Sequence, residues 1–137
     1  AKAHQSHAVS VTVLGFCQDL APWFAWADCI VARAGAMTVA EIAAAGRASI
    51  LSPYPWAADH HQFANANVLV QAGAAVMFEQ QDDPTPSVLT QLQIWHNDRS
   101  LCQKMGQAAR QLSRPEALVE ILQEGARCGF WSSTAES

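Results

Sequence analysis

The sequence predicts an α/β fold with a doubly wound parallel sheet, because apolar strand segments alternate with helical segments along the chain. Short β-branched or apolar runs predict strands at residues 9–14, 28–32, 48–52 and 74–78. Two of these strands begin similar units, each made of a strand, a turn and a helix. The amino ends of both helices are therefore expected at the carboxyl edge of the sheet, where open α/β sheets bind ligands.

Local signals place the helices between and after these strands. Asp19 is a cap residue for a first helix with Pro22 in its first turn, running to residue 26 or 27. The other predicted helices span residues 38–45, 59–72, 87–95, 99–112 and 115–127, with Gly46 and Gly73 ending the first two. Residues 1–7 are polar, and we expect them to be frayed.

The helix that follows residue 37 carries a candidate anion site at its amino end. Thr38 and Glu41 have the spacing of a capping box, and Asp59 and Gln62 repeat it. Free amides and the positive end of the helix dipole suit a phosphate. Glu41 has two interpretations: it completes the cap, which is worth ~1 kcal/mol, or it accepts hydrogen bonds from ribose hydroxyls.

Composition sets limits on the class of protein. A chain of 137 residues can bury one core and is one domain. Half of the residues are hydrophobic and 15% are charged, as in a globular protein. The net charge of -4 without a Lys/Arg cluster argues against a nucleic-acid partner. No apolar run approaches the roughly 18 residues of a membrane helix, and the first residues lack the apolar core of a signal peptide.

Metal and disulfide chemistry are not predicted. The four cysteines are far apart without a CxxC pair, so we expect reduced thiols in a cytoplasmic protein. His60 and His61 are adjacent and diverge by about 100° on a helix, and Asp82 and Asp83 are only an adjacent pair in a loop. We expect neither a metal ion nor a cofactor.

Several segments together resemble the carboxyl-terminal half of the MurG family. They are ARAGAMTVAEI at 32–42, PYP at 53–55, HQFANA at 61–66, AGAA at 72–75 and GFCQDL at 15–20. The resemblance runs from about residue 9 to about residue 127. It implies the carboxyl-terminal, Rossmann-like half of a GT-B fold, truncated at its amino-terminal side. Residues 1–131 are expected to form an incomplete donor-binding domain, and residues 132–137 a disordered tail.

The resemblance also implies an activity. MurG-like enzymes transfer N-acetylglucosamine from UDP-N-acetylglucosamine to lipid I with inversion, which forms lipid II in peptidoglycan synthesis. The donor UDP-N-acetylglucosamine is then a partner of this chain. Lipid I would bind through an amino-terminal acceptor domain, in the same chain or as a partner, at the inner face of the bacterial cell membrane. We expect no catalytic residue in this chain, and no transfer by this chain alone.

Positions that match the family motifs are the expected donor-binding residues. Phe16 would cover the uracil while the backbone of Cys17 reads its edge, Glu41 would bind the ribose, and neutral amides would face sugar hydroxyls. The full set is Phe16, Cys17, Arg33, Ala34, Gly35, Ala36, Met37, Thr38, Glu41, His61, Gln62 and Asn65. Ala34 occupies a position where many relatives have serine, so a hydroxyl contact to phosphate would be lost there.

Most of these positions also have a purely structural interpretation. Phe16 could be a core residue, Gln62 a helix cap, and Arg33 the partner of a diphosphate or of a surface carboxylate. Gly35 would allow close backbone approach, either to a phosphate or to the neighbouring strand. The aromatic residues 23, 24 and 26 could seek a membrane, although a packed helix face is favoured.

Two other functions fit the same pattern. The chain could be a donor-binding subunit of a split transferase that is active only with a partner chain. It could also belong to another GT-B enzyme, such as a UDP-N-acetylglucosamine epimerase, although the acidic and histidine residues expected of that class are not evident.

Overall fold

A computed structural model describes residues 2–3, 10–54, 61–78, 84–116, 123–124 and 127. The strands are β1 (Lys2–Ala3), β2 (Thr12–Val13), β3 (Cys29–Ala32), β4 (Ala48–Leu51) and β5 (Ala75–Met77). The helices are α1 (Ala21–Trp26), α2 (Ala36–Ala45), α3 (His61–Gln71), α4 (Thr85–Asn97) and α5 (Arg99–Gln111). The predicted helix at 115–127, the cap residue Asp59, the pair Asp82 and Asp83, and the tail lie wholly or largely outside the described residues.

The parallel sheet has the order β3-β4-β5, with β4 in the centre. Ser49 of β4 is in register with Ile30 of β3 and Ala75 of β5, and all four residues of β4 are buried. Helices α2 and α3 make the two crossovers, as parallel pairing requires. The predicted parallel α/β sheet is confirmed for these three strands.

Helices cover both faces of this sheet. Because side chains alternate along a strand, Ile50 and Leu51 point to opposite faces. Leu51 belongs to a buried cluster with Ile42 of α2 and Leu69 of α3. Ile50 belongs to a second cluster, with Trp95 of α4 and Met105 of α5. The sheet is therefore doubly wound, as predicted.

The prediction that residues 9–14 form a strand of this parallel sheet is wrong. Among the described residues 10–14, Thr12 and Val13 form a strand, which pairs antiparallel with Ala3 and Lys2 in the segment that was expected to be frayed. Both β2 residues are exposed. The antiparallel pairing supplies backbone hydrogen bonds to β2, while the side chain of Val13 is exposed and does not reach the core.

A close backbone contact joins α5 to the end of α2. Gly46 ends α2 in the left-handed conformation with φ 64°, as predicted for a helix-terminating glycine. A Cβ atom on Gly106 would lie 2.5 Å from the carbonyl oxygen of Gly46, so α5 can approach only because position 106 has no side chain. Arg110 adds a hydrogen bond from Nη2 to the Ala45 carbonyl at 3.3 Å.

Helix α1 is short and superficial. Pro22 lies in the first turn, as predicted, but the N-cap is Leu20 rather than Asp19. Asp19 Oδ1, one residue earlier, accepts a hydrogen bond from the amide of Ala21 at 3.0 Å. No residue of α1 is buried, and Trp26 is 81% exposed beside Trp23, with the ring centroids 6.4 Å apart. The favoured interpretation of a packed helix face is therefore wrong for both tryptophans. Only Phe24 packs against the core.

Candidate functional site at the carboxyl edge of the sheet

Arg33 lies directly after β3, at the carboxyl edge of the sheet. Its Nη1 donates to the carbonyl oxygens of Ser52 and Pro53, at 3.3 and 3.4 Å, in the segment that follows β4. Its guanidinium carbon lies 5.5 Å from the ring centroid of Tyr54, within the range of a cation–π contact. These contacts fasten the ends of two neighbouring strands together and hold a cation at the edge.

The first turns of α3 are tied to the same edge by two amide side chains. Gln62 Oε1 accepts a hydrogen bond from the backbone N–H of Tyr54 at 2.9 Å. Asn65 Nδ2 donates to the carbonyl of Ala34 at 3.1 Å. His61 is exposed at the first position of the helix. The predicted residues of α3 and of the β3–α2 turn are thus brought together.

Helix α2 begins two residues earlier than the capping box predicts. Gly35 is the N-cap, in the extended conformation with φ -63° and ψ 147°, and Ala36 is the first helical residue. Thr38 is therefore inside the helix, and Glu41 in the second turn is too far along to complete a cap. The capping-box prediction is wrong. Since glycine has no side chain to accept hydrogen bonds, the cap residue leaves the first-turn amides to another acceptor.

The surroundings of Gly35 distinguish between its two interpretations. A Cβ atom at this position would have Thr38 Oγ1, at 3.9 Å, as its nearest neighbour among the described residues. Contact with the neighbouring strand therefore does not require a glycine here, and φ is not positive. Among the described residues, the interpretation that remains is close approach by a group such as a phosphate.

The rest of the β3–α2 turn divides between surface and core. Ala36 is exposed, Met37 is 75% exposed, and Thr38 is half-buried. Ala34 has no exposed surface, because its side chain joins the core cluster of Ile42 and Leu51. The expectation that Ala34 contacts the ligand directly is thus not met, and a serine hydroxyl at this position would also be buried in this geometry.

Glu41 and Cys17 line one cavity of about 510 Å³ between α2 and the loop before α1. Phe24 of α1 and two arginines, Arg47 and Arg110, also line this cavity. Neither arginine was predicted as a site residue, because nothing in its immediate sequence indicates what it faces. The cavity places the acidic side chain predicted for the ribose beside the loop predicted for the base.

Phe16 precedes this cavity on the same loop and is 86% exposed. The alternative of a core phenylalanine is therefore wrong. The Cys17 Sγ donates to the carbonyl of Asp19 at 3.0 Å, which holds the loop in a tight turn before α1. An exposed aromatic ring on a fixed loop has a free face on which a planar base can stack.

A larger cavity, of about 750 Å³, opens at the other end of the sheet, where β3 and β4 begin. Asp28, Cys29, Trp95, Arg99 and Cys102 are among its lining residues. It contains none of the predicted donor-binding residues and lies at the edge opposite the helix amino ends.

Two thiols line the larger cavity, and both have raised pKa values. Burial raises the pKa of the Cys29 thiol, and the neighbouring Cys102 and Asp28 raise it further. Burial likewise raises the pKa of Cys102, whose Sγ donates to the Asp28 carbonyl at 3.4 Å. Among the residues that the structure describes, no group of three or more His, Cys, Asp or Glu side chains could hold a metal ion.

A parallel sheet with helices on both faces and a helix amino end at its carboxyl edge defines a Rossmann-like α/β domain. The Glycosyltransferase family 28 C-terminal domain matches residues 1–121. The chain belongs to this family.

Individual relatives support the resemblance to MurG. The chain is 39% identical over 121 residues to a Coxiella burnetii protein and 43% identical over 113 residues to one from Shewanella sp. strain MR-4. Both are named UDP-N-acetylglucosamine--N-acetylmuramyl-(pentapeptide) pyrophosphoryl-undecaprenol N-acetylglucosamine transferase. The matches cover 88% and 82% of this chain, but 34% and 31% of the relatives.

A solved structure gives the same result. The fold superposes on Acinetobacter baumannii MurG with a TM-score of 0.71 at 42% identity, over 82% of this chain and 33% of that one. The predicted Rossmann-like, carboxyl-terminal half of a GT-B fold is confirmed. The chain spans about a third of the length of the relatives it matches.

Proposed function

We propose that this chain binds UDP-N-acetylglucosamine as the donor-binding part of an inverting glycosyltransferase, which passes the sugar to lipid I and forms lipid II. The observation that carries the proposal is the amino end of α2 at the carboxyl edge of the sheet. Its cap residue, Gly35, has no side-chain acceptor, and none of the neighbours that the structure describes requires a glycine there. A group from outside the chain is the natural acceptor for these amides.

The diphosphate of the donor fits this helix end. Backbone amides of Ala36 and Met37 belong to the first turn, where the helix dipole favours negative charge. Arg33 adds a cation at the same edge. When the sugar leaves, negative charge grows on the β-phosphate, and donors already fixed in place stabilise it without reorganisation.

The nucleoside fits the cavity beside α2. Glu41 lines this cavity and is half-buried. It does not cap α2, and its carboxylate can accept hydrogen bonds from both ribose hydroxyls. The base then lies toward Cys17, whose backbone can read its edge, and under the exposed ring of Phe16. These roles are supported by the observation that Glu41 and Cys17 line the same cavity.

Two amides of α3 complement the hydroxyls of the transferred sugar. Gln62 uses its carbonyl oxygen for Tyr54, which leaves the Nε2 amide as a donor. Asn65 uses one N–H for Ala34, which leaves Oδ1 as an acceptor. A donor and an acceptor one turn apart match the paired character of vicinal hydroxyls. His61 at the start of the helix is the third residue we assign to the sugar.

The surface around α1 favours binding of a further polypeptide. Large apolar side chains concentrated between residues 11 and 31 are exposed: Val11, Val13, Leu14, Phe16, Leu20, Trp23, Trp26 and Val31. Val31 belongs to β3, an edge strand of the parallel sheet. Apolar surface of this extent marks an interaction site. We propose that an acceptor-binding domain, in the same protein or as a separate subunit, covers it.

Under this proposal the chain alone transfers no sugar, and lipid I binds through the acceptor-binding domain. The lipid-linked acceptor would place the assembled enzyme at the inner face of the cell membrane. Among the described residues, no helix has the length and apolar character needed to cross a bilayer.

A pair of substitutions at Gly35 tests the proposed phosphate site. Gly35→Asp and Gly35→Asn both introduce favourable N-cap residues, so the melting temperature should stay or rise. Both fill the space that the phosphate would approach, and aspartate adds a repulsive charge. By calorimetric titration, UDP affinity should fall at least tenfold for Gly35→Asn, about 1.4 kcal/mol, and further for Gly35→Asp.

The titration has a clear negative outcome. If both variants bind UDP as the unsubstituted chain does, the diphosphate is not at this helix end. If the unsubstituted chain binds UDP no better than ADP, the proposed contacts with the uracil are wrong. Thermal melts of all three proteins, followed by circular dichroism, show whether any lost affinity is accompanied by lost structure.

A further inference from the structure

We propose that Arg47 is a positioning residue, which holds α1 and the preceding loop against α2 and so sets the nucleobase end of the donor cavity. The inference rests on the proposed function for its effect on ligand binding. We call the hydrogen bonds from Arg47 to α1 the clamp. The clamp is a property of the fold and can be measured without a ligand.

Helix α1 needs such a restraint. It has six residues, none of them buried, and its best-packed side chain, Phe24, is only partly covered by the core. Isolated helices of this length are unstable in water. The hydrogen bond to Asp19 and the thiol hydrogen bond of Cys17 are local, so neither fixes where α1 lies on the rest of the molecule.

Arg47 provides a long-range tie between α1 and the sheet. Its Nε donates to the carbonyl of Phe24 at 3.1 Å, and its Nη2 donates to the carbonyl of Ala25. These carbonyls are among the last of α1, which have no partner within the helix. A cation at this end also interacts favourably with the helix dipole. The planar guanidinium suits two adjacent acceptors, whereas a lysine ammonium is a single point.

The base of the clamp is rigid. The amide of Arg47 donates to the carbonyl of Ile42 at 3.4 Å, and that of Gly46 donates to Ala43 at 3.1 Å. This is the Schellman pattern at the end of α2. The next residue, Ala48, begins the buried central strand. The guanidinium therefore reaches α1 from the best-fixed part of the fold.

The clamped segment and the clamp line the same cavity as Glu41. Cys17, Phe24, Glu41 and Arg47 all line this cavity. Releasing α1 would let the loop of Cys17 move away from Glu41. The ribose contact on α2 would survive while the base contact weakens, so Arg47 acts on the ligand through the loop.

The test compares Arg47→Met, which keeps the apolar stem and removes the donors, with Arg47→Lys, which keeps the charge. Arg114→Met removes one exposed positive charge outside the cavity and controls for net charge. The first readout is amide hydrogen exchange of Phe24 and Ala27, whose N–H groups donate to Leu20 and Trp23 within α1. These amides should exchange about tenfold faster in Arg47→Met, while those of β4 stay unchanged. Arg47→Lys should be intermediate.

The second readout follows the loop with ligand present. UDP should protect the Cys17 thiol from alkylation, mapped by mass spectrometry, in the parent chain and in Arg114→Met, but much less in Arg47→Met at equal UDP occupancy. Arg110→Met separates clamp from charge, since Arg110 lines the same cavity but donates to Ala45 of α2. Equal loss of protection in Arg110→Met and Arg47→Met would overturn the clamp in favour of a direct charge effect.

The two proposals fail in different ways. Unchanged exchange of the α1 amides in Arg47→Met would overturn the inference, whether or not UDP binds. A parent chain that does not bind UDP would overturn the proposed function, whereas faster α1 exchange in the variant would still establish the clamp. If Arg47→Met does not fold, unchanged α1 exchange in Arg47→Lys overturns the inference, because lysine cannot reproduce the two hydrogen bonds.

Discussion

Strands β4 and β2 have similar local sequences and opposite environments. Ala48–Leu51 is buried along its whole length between two parallel neighbours, with helices on both faces. Thr12–Val13 is exposed on a two-residue antiparallel ladder. Both segments are extended, because β-branched and apolar residues favour that conformation. Of these two strands, β4 contributes to the core and β2 does not. An extended conformation therefore does not by itself show that a segment is buried.

The same contrast separates two regions of the molecule. The framework of β3, β4, β5 and α5 is held by interdigitated side chains and by the contact between Gly46 and Gly106. The segment of β2 and α1 is held by a few polar contacts, among them those of Arg47. Regions with few buried apolar contacts open at low free energy. The cavity that Glu41 and Cys17 line lies where α2 meets α1 and its preceding loop.

The largest expected difference is between truncations in the two strands. Ile50→Ala removes a fully buried side chain and should lower the free energy of unfolding by ~2–5 kcal/mol. Val13→Ala removes a side chain that is 51% exposed, and should change it by less than about 0.5 kcal/mol. Urea titrations of both variants measure the two free energies of unfolding, which can be compared if the m-values are equal. A loss for Val13→Ala close to that for Ile50→Ala would mean that β2 belongs to the cooperative core.

Much of the framework could be predicted because its signals are local. The runs around Ile30, Ile50 and Val76, with glycines after the intervening helices, predict parallel strands and crossovers, and the structure has them. The placement of residues 9–14 could not be predicted in the same way. A strand pattern predicts extension, but which edge it joins depends on partners far away in sequence.

The candidate site shows the same division. The sequence places Gly35, Gln62 and Asn65 near one edge, because strand ends and helix starts in a parallel sheet converge there. The exact start of α2 was missed, since Thr38 and Gly35 are both acceptable cap residues and the pattern alone favours Thr38. The contacts of Arg33 with Tyr54, and of Arg47 with α1, were also missed. A guanidinium reaches far enough that its partners are set by tertiary structure.

The next largest effect is expected at Glu41, on the border between the two regions. With the helix beginning at Ala36, Glu41→Gln removes no cap and should barely move the melting temperature. If Glu41 binds ribose, UDP affinity should fall through loss of charge-assisted hydrogen bonds, each worth roughly 1.5–3 kcal/mol. Calorimetric titration measures the loss. The control ligand is a UDP analogue with a deoxygenated ribose. The parent chain and the variant should bind this analogue about equally. An unchanged affinity for UDP would move the ribose contact elsewhere.

The smallest expected effect concerns the helix caps, where α2 and α5 differ. Gly35 leaves the amides of α2 open, whereas Asp98 Oδ1 accepts from the amides of Ser100 and Leu101 at 3.0 and 3.2 Å. The Ser100 hydroxyl, at 2.7 Å, is the main reason that the pKa of Asp98 is lowered, followed by the Leu101 amide. The folded helix therefore stabilises the ionised carboxylate of Asp98 relative to its protonated form.

A lowered pKa fixes the sign of the pH dependence. The stabilisation by Asp98 is fully present above the unfolded pKa of about 3.9, and it is lost as the pH falls through the lower folded value. Asp98→Asn keeps a good cap without a titrating group. The melting temperature of the parent chain relative to this variant should therefore decrease between about pH 5 and pH 2. In Ser100→Ala, an NMR titration of the Asp98 carboxyl should give a higher midpoint than in the parent. A midpoint that does not move would assign the lowered pKa to the backbone amides instead.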